Sequence, residues 1–408
     1  MVRPVEAAVA PRLSGHACAW AVLLWPLLSV CIGGTAAAEQ VSLRQIGFAD
    51  IQEWTQDRHI AALEAFARTC PRLSKNSKPV RIAGRPVASR TMKQVCRAAV
   101  RLGGTQDNQA ARQFFESHFD PVAVIADGSA QGLFTGYFEP EYDGSLQPSG
   151  KYRVPLYKRP AELVRFHGGS GTGPAYGRKV GGKARPYFSR REIESGALRG
   201  RGLELVYLSS PVDAFFIHVQ GSGRVRLPDG GVIRVGFAAK SGHPYTAVGK
   251  VLIDMGVLRR EDVSMQSIRA WLEANPDKAQ AVIWRNQSFI FFRRLAGGDP
   301  DLGPPGAAGV SLTPGRSLAV DPRHYSYGVP LWLETTLPID DSGETVPYRR
   351  LMVAQDTGSA IKGAIRGDVF VGTGSDAGAV AGRMKQKGRL VALVPRKRRA
   401  SVRQSGGR

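Results

Sequence analysis

The feature that most constrains this chain is a change of hydrophobic period near residue 133. Before it, apolar residues recur at helical spacing: Ile60, Leu63, Phe66, Ala67 and Cys70 form one set, and Val95, Cys96, Ala99 and Val100 a second. A third segment closes on Phe114, Phe115 and Phe119, rings that belong in a core rather than around a ligand. From Leu133 the period shifts towards two and Gly becomes frequent, with strand-like runs at Leu203 to Leu208, Ala214 to Gln220 and Val232 to Phe237. Pro228 to Gly231 has hairpin-turn chemistry between the last two. A helical interlude follows over Ala247 to Met255, then a helix capped by Ser264 that carries Ile268, Trp271 and Leu272 and stops at Asn275 and Pro276. Beyond the Phe289 to Phe292 run and a Gly- and Pro-rich loop, Gly297 to Gly315, short strands return at Ser317 to Val320, Leu331 to Leu337, Arg350 to Gln355, Asp368 to Val371 and Arg389 to Val394. At 408 residues the chain has room for about two domains. The pattern predicts a mainly β protein with N-terminal helices and small barrels.

The N-terminus reads as an export signal. Arg3 and Arg12 precede an apolar stretch from Ala17 to Ile32, and Ala36, Ala37 and Ala38 precede Glu39, which makes residues 1–38 a signal peptide. Pro26 interrupts the stretch, which falls short of the ~20 residues a spanning helix needs. Leu28, Ser29, Val30 and Cys31 form an imperfect lipoprotein box with Val before the Cys, so soluble export to the periplasm is favoured over lipid anchoring at Cys31. Cys70 and Cys96 then remain in an oxidising compartment. They form either one disulfide, worth about 3 kcal/mol, or two buried thiols, and the disulfide is the favoured reading. Residues 396–408 are basic and polar and read as a disordered tail.

The net charge is +22, and losing Arg3, Arg12 and Glu6 with the signal changes it by one unit. Nucleic acid, the default partner of a basic chain, is out of reach of an exported protein. The charge points instead to some other anionic polymer.

Several motifs fail on context. Gly372, Gly374 and Ala377 fit G-x-G-x-x-A after a strand, but the acidic residue expected ~20 residues later is replaced by Arg396, Lys397 and Arg398. Arg366, Gly367 and Asp368 spell an adhesion tripeptide common by chance. The His residues show no metal-ligand spacing, so neither metal nor cofactor is expected. Two constellations do stand out. Asp321, Asp356 and Asp368 each lie at a strand end near Gly or Pro, where sites are built, although one such Asp alone would be turn chemistry. Gly136 to Pro140 and His218 to Gly223 offer aromatic, amide and hydroxyl groups suited to a sugar, with alternation placing Phe216, His218 and Gln220 on one strand face.

In this order the segments resemble the membrane-bound lytic murein transglycosylase A (MltA) family. They are TGYFEPEYDG (Thr135 to Gly144), PLYKRP (Pro155 to Pro160), HVQGSGRV and AAKSGHPYTAVGKVLIDMG within Leu205 to Gly256, SMQSIR (Ser264 to Arg269), NQSFIFF (Asn286 to Phe292), AVDPRHYSYGVPLWL (Ala319 to Leu333) and VAQDTGSAIKGAIRGDVFVGTG (Val353 to Gly374).

The resemblance implies a large domain with a double-psi β-barrel, formed by residues 39–138 and the three-Asp "3D" region 294–395. A smaller β domain, 139–293, is inserted between these parts, with a groove between the domains. It implies cleavage of the β-1,4 bond between N-acetylmuramic acid and N-acetylglucosamine in peptidoglycan without water, leaving 1,6-anhydro ends. Asp368 is the expected acid and then base, Asp356 a supporting residue, and Asp321 structural. Tyr137, Gln220, Gly221 and Ser222 are expected in the groove, with Lys362 near the two acids. Peptidoglycan glycan strands are the expected partner, with outer-membrane association left open and a monomer expected. Two other readings are a non-catalytic wall-binding module and a two-carboxylate hydrolase pairing Asp368 with Glu139 or Glu141.

Overall fold

Three helices form where the 3.6-residue period runs, at His59–Lys75, Ser89–Leu102 and Asn108–His118. The third is capped by Asp107, whose carboxylate accepts from the Gln109 amide. The structure is a computed structural model describing residues 39–166, 175–181, 183–297, 299–339 and 342–396. The signal segment with Cys31, and the basic tail from 397 onwards, lie outside the described residues. Among the described residues, no helix is long and apolar enough to cross a membrane.

Phe66, Phe115 and Phe119 are fully buried and Phe114 nearly so, with Phe66 and Phe119 edge to face at 5.9 Å. Burial of each such ring contributes on the order of 1.5–3 kcal/mol, which holds the helices to the sheet beneath. Cys70 and Cys96 form a disulfide between the first two helices, with Cα atoms 5.2 Å apart.

Six strands close into a barrel, in the order Lys385–Pro395, Pro330–Pro338, Thr345–Asp356, Ser317–Val320, Arg366–Thr373, Gly132–Glu139 and back to Lys385–Pro395. Two of these pairings are parallel, Ser317–Val320 on Thr345–Asp356 and Arg366–Thr373 on Gly132–Glu139. Phe119–Ala126 and Val41–Gln45 extend the sheet beyond Lys385–Pro395. Trp332, Leu351, Met352 and Ala392 fill the core it shares with the helices.

The chain leaves the barrel at Glu139 and, after Pro140 alone, enters a second sheet at Glu141. That sheet runs Ile290–Leu295, Val232–Lys240, Ser222–Arg226, Glu141–Ser145, Glu204–Leu208 and Val154–Tyr157. The Gly132–Glu139 strand is therefore the joint between the two lobes.

One expectation is overturned. Ala214 to Gln220 is not a strand but part of the helix Pro211–Gln220. Ser210 accepts from the Val212 and Asp213 amides, Pro211 occupies the first turn, and Gly221 ends the helix at φ +80°. A short continuous apolar run fits helix and strand equally, and the caps decide it. Phe216, His218 and Gln220 consequently do not share a strand face. His218 is buried against Phe289 and Phe292, and its Nδ1 accepts from the Ile290 amide. Two further helices, Pro276–Ile283 and Gly374–Arg383, occupy segments where no helix was expected.

Candidate active site

Sheet register gathers the acids. Asp356, at the end of its strand, pairs with Ala319 on one side of Ser317–Val320, and Asp368 pairs with the same Ala319 on the other. Asp368 in turn pairs with Thr135. A single row thus reads Asp356, Ala319, Asp368, Thr135. At a strand spacing of about 4.8 Å, the two Asp Cα atoms stand about 10 Å apart. Thr135 and Tyr137, two residues apart on Gly132–Glu139, face the same side. Thr135 Oγ1 donates to Asp368 Oδ1 at 2.5 Å and Tyr137 Oη donates to Asp356 Oδ2 at 2.9 Å. Gly136 between them admits the helix Gly374–Arg383 behind the strand, because a Cβ there would lie 2.9 Å from Ala381 Cα.

The two carboxyls differ in how they are held. Asp356 Oδ1 also accepts from the Ala307 and Thr357 amides, both at 2.9 Å. Burial pushes its pKa above the usual carboxylate range against the pull of these donors. Burial likewise raises Asp368. The Arg366 charge and the Thr135 hydrogen bond oppose that rise, and the Asp356 charge adds to it. Arg366 Nη2 donates to Thr135 Oγ1 at 2.8 Å, so the hydroxyl has its own proton free only for Asp368. Tyr137 is pushed well above its ordinary value by burial and by Asp356, and Tyr327, beside Asp356, rises to about 12 for the same two reasons. Tyr137 packs on the fully buried Phe370, with ring centroids 5.3 Å apart. A half-buried acid pair beside Tyr137 and Tyr327 can take up and release a proton at this point of the surface.

The MltA specific insert domain matches residues 133–293, and the 3D domain matches residues 316–394. The membrane-bound lytic murein transglycosylase A of Escherichia coli K12 is 34% identical over 300 residues, 72% of this chain and 73% of that protein. The chain belongs to the MltA family. A crystal structure of membrane-bound lytic murein transglycosylase from Agrobacterium tumefaciens is 37% identical with a TM-score of 0.76, covering 87% of this chain and 98% of that one. E. coli MltA with bound chitohexaose is 29% identical with a TM-score of 0.60, covering 87% of this chain and 92% of that one.

Within this MltA-family site, Gln220 ends the helix Pro211–Gln220, and its Oε1 accepts from the Phe138 amide at 3.2 Å, beside Tyr137. Gly221 and Ser222 follow at the start of the strand Ser222–Arg226. Asp321 is fully buried. Burial would raise it, but hydrogen bonds from Arg323 and from the Gly363 and Arg323 amides hold it at about 2. It secures the loop that leads into Arg366–Thr373. Lys362, on that loop, is exposed and acts electrostatically on Lys240 of the inserted lobe. Arg366 is a cation whose charge lowers Asp368. Glu139 is fully buried and bound by Arg224 at 3.0 Å and Arg234 at 2.8 Å. Glu141 is paired with Arg226 at 3.2 Å.

Sequence reasoning missed Thr135, Arg366 and Tyr327. Arg366 was hidden in a tripeptide dismissed as chance, yet its spacing of two from Asp368 puts both on one strand face.

Proposed function

We propose that the protein is a lytic transglycosylase of the bacterial cell envelope that cleaves the β-1,4 MurNAc–GlcNAc bond of peptidoglycan, with Asp368 as the single acid and base. The observation that carries the assignment of roles is the unequal holding of the two carboxyls. Asp356 accepts three hydrogen bonds and Asp368 one from Thr135. With more hydrogen-bond donors on its oxygens, Asp356 is assigned the carboxylate role, and Asp368, although the Arg366 charge pulls its pKa down, is assigned the proton. Because Thr135 donates to Oδ1, that proton sits on Oδ2.

Oδ2 delivers its proton to the glycosidic oxygen as the C1–O4 bond breaks, releasing the GlcNAc hydroxyl. The substrate's C6 hydroxyl then closes on C1, and its proton returns to Asp368, which restores the starting acid without consuming water. Asp356, in its carboxylate form, stabilises positive charge developing at C1. Tyr137, Gln220, Gly221 and Ser222 line the path of the glycan, and Lys362 borders it. The E. coli relative binds chitohexaose, a sugar chain of the same linkage geometry, which supports a saccharide in the corresponding groove.

A two-carboxylate hydrolase using Glu139 is disfavoured. Glu139 is fully buried and its carboxylate is engaged by two arginines, which holds it as a structural charge. Export through residues 1–38 would deliver the enzyme to the periplasm as a soluble monomer. The test is Asp368→Asn: it should abolish release of anhydromuropeptides from sacculi while the protein still folds and binds them. Retained activity removes Asp368 from the role.

A further inference from the structure

The barrel face that carries Asp368 also carries a strip of cations. Parallel pairing sets Asp368 against Thr135 and Arg366 against Leu133, while antiparallel pairing sets Lys385 against Thr135 and Lys387 against Leu133. Residues in register point to the same side of a sheet, so two neighbouring rows read Asp368, Thr135, Lys385 and Arg366, Leu133, Lys387. Strand spacing and rise place the Cα atoms of Lys385 and Lys387 about 10 and about 12 Å from that of Asp368.

Both lysines are exposed, and Leu133 beside them is an exposed apolar residue at 40%. Lys385 Nζ donates to the Arg260 carbonyl of the inserted lobe at 3.2 Å, so the strip reaches the seam between the lobes. Farther along the same strand Arg389 is paired with Glu334 at 3.7 Å, whereas Lys385 and Lys387 make no ion pair among the described residues. Arg366 is committed to Thr135 and to the Leu133 and Gly367 carbonyls, and it holds the end of the strip nearest the acid.

A neutral sugar chain gives such charges nothing to bind. We infer that Lys385 and Lys387, with Leu133 between the strip's strands, form a carboxylate subsite that takes the acidic groups carried by the muramyl residue of a strand lying across Asp368. Leu133 offers a surface for the methyl groups that accompany them. The inference takes its substrate from the transglycosylase reading but concerns binding alone.

The test uses the full chain carrying Asp368→Asn, so that ligands are not consumed, with and without Lys385→Gln and Lys387→Gln together. Three ligands are titrated at low salt: peptide-bearing glycan strands, the same strands stripped of peptide so that the lactyl carboxylate is free, and neutral chitohexaose. Removing the lysines should weaken binding of a carboxylate-bearing strand roughly five- to tenfold, an effect that fades at ~1 M salt, and leave chitohexaose unchanged. A loss confined to peptide-bearing strands puts the carboxylates on the stem peptide, and a loss shared with stripped strands puts one on the sugar. Equal loss on chitohexaose, or no loss on either anionic strand, overturns the subsite. Because the readout is affinity, failure of the chemistry of Asp368 would leave this result standing, and the converse.

Discussion

Thr135 donates its one hydroxyl proton to Asp368 at 2.5 Å while a lone pair of the same oxygen accepts from Arg366 at 2.8 Å, a group that can only donate. The orientation of one hydroxyl thereby fixes which oxygen of Asp368 carries the catalytic proton. Thr135→Val keeps the shape and removes the hydroxyl. It should lower kcat about tenfold or more with little change in KM, since a hydrogen bond to a charged group is worth about 1.5–3 kcal/mol. Loss of that bond also destabilises the Asp368 carboxylate, so the alkaline limb of the pH–rate profile should move to higher pH. Thr135→Ser should restore both. An unchanged profile in the valine variant would show that the contact is structural only.

Stability should report on the same acid. The folded-state pKa of Asp368 is raised by burial, so as pH rises the unfolded chain ionises first. The folded state then loses stability from about pH 4 upward until its own pKa is passed. Asp368→Asn should therefore melt higher than the wild type at pH 7, with the gap closing below pH 4 in thermal scans. A gap that persists at pH 3 would assign it to another cause.

Glu139→Gln separates scaffold from chemistry. With two arginines on its buried carboxylate, the change should cost on the order of 3–5 kcal/mol in a denaturant titration and unsettle the joint between the lobes. A variant of wild-type stability that has lost all activity would return Glu139 to the list of catalytic carboxylates.

The disulfide closes a loop of 26 residues between two helices of the core. Replacing Cys70 and Cys96 together by Ser should lower stability by about 3 kcal/mol without changing kcat, because the bond acts on the unfolded chain and lies apart from the acid row. Equal melting of oxidised and reduced protein would contradict this.

Much of the fold was legible because the barrel strands announce themselves by period and by Gly-rich turns. Ser317–Val320 has the bounds read from sequence, and the Ser264 cap starts Met265–Ala274 as expected. The Pro211–Gln220 helix was misread because Phe215, Phe216 and Ile217 are all buried, which erases the polar face that distinguishes a helix from a strand. Asp356 and Asp368 could be singled out as strand-end acids. That both share Ala319 as a register partner could not, since nonlocal register is set by closure of the barrel. Arg366 and Thr135 are separated by 231 positions, and local pattern holds no trace of their contact.

The central claim is that Asp368 works alone and that the substrate's own C6 hydroxyl replaces water. Digestion of sacculi in ¹⁸O-labelled water, followed by mass spectrometry of the released muropeptides, tests it most directly. The products should carry 1,6-anhydro ends with no label from the solvent. Reducing ends bearing ¹⁸O would instead show hydrolysis with a second carboxylate and contradict the account.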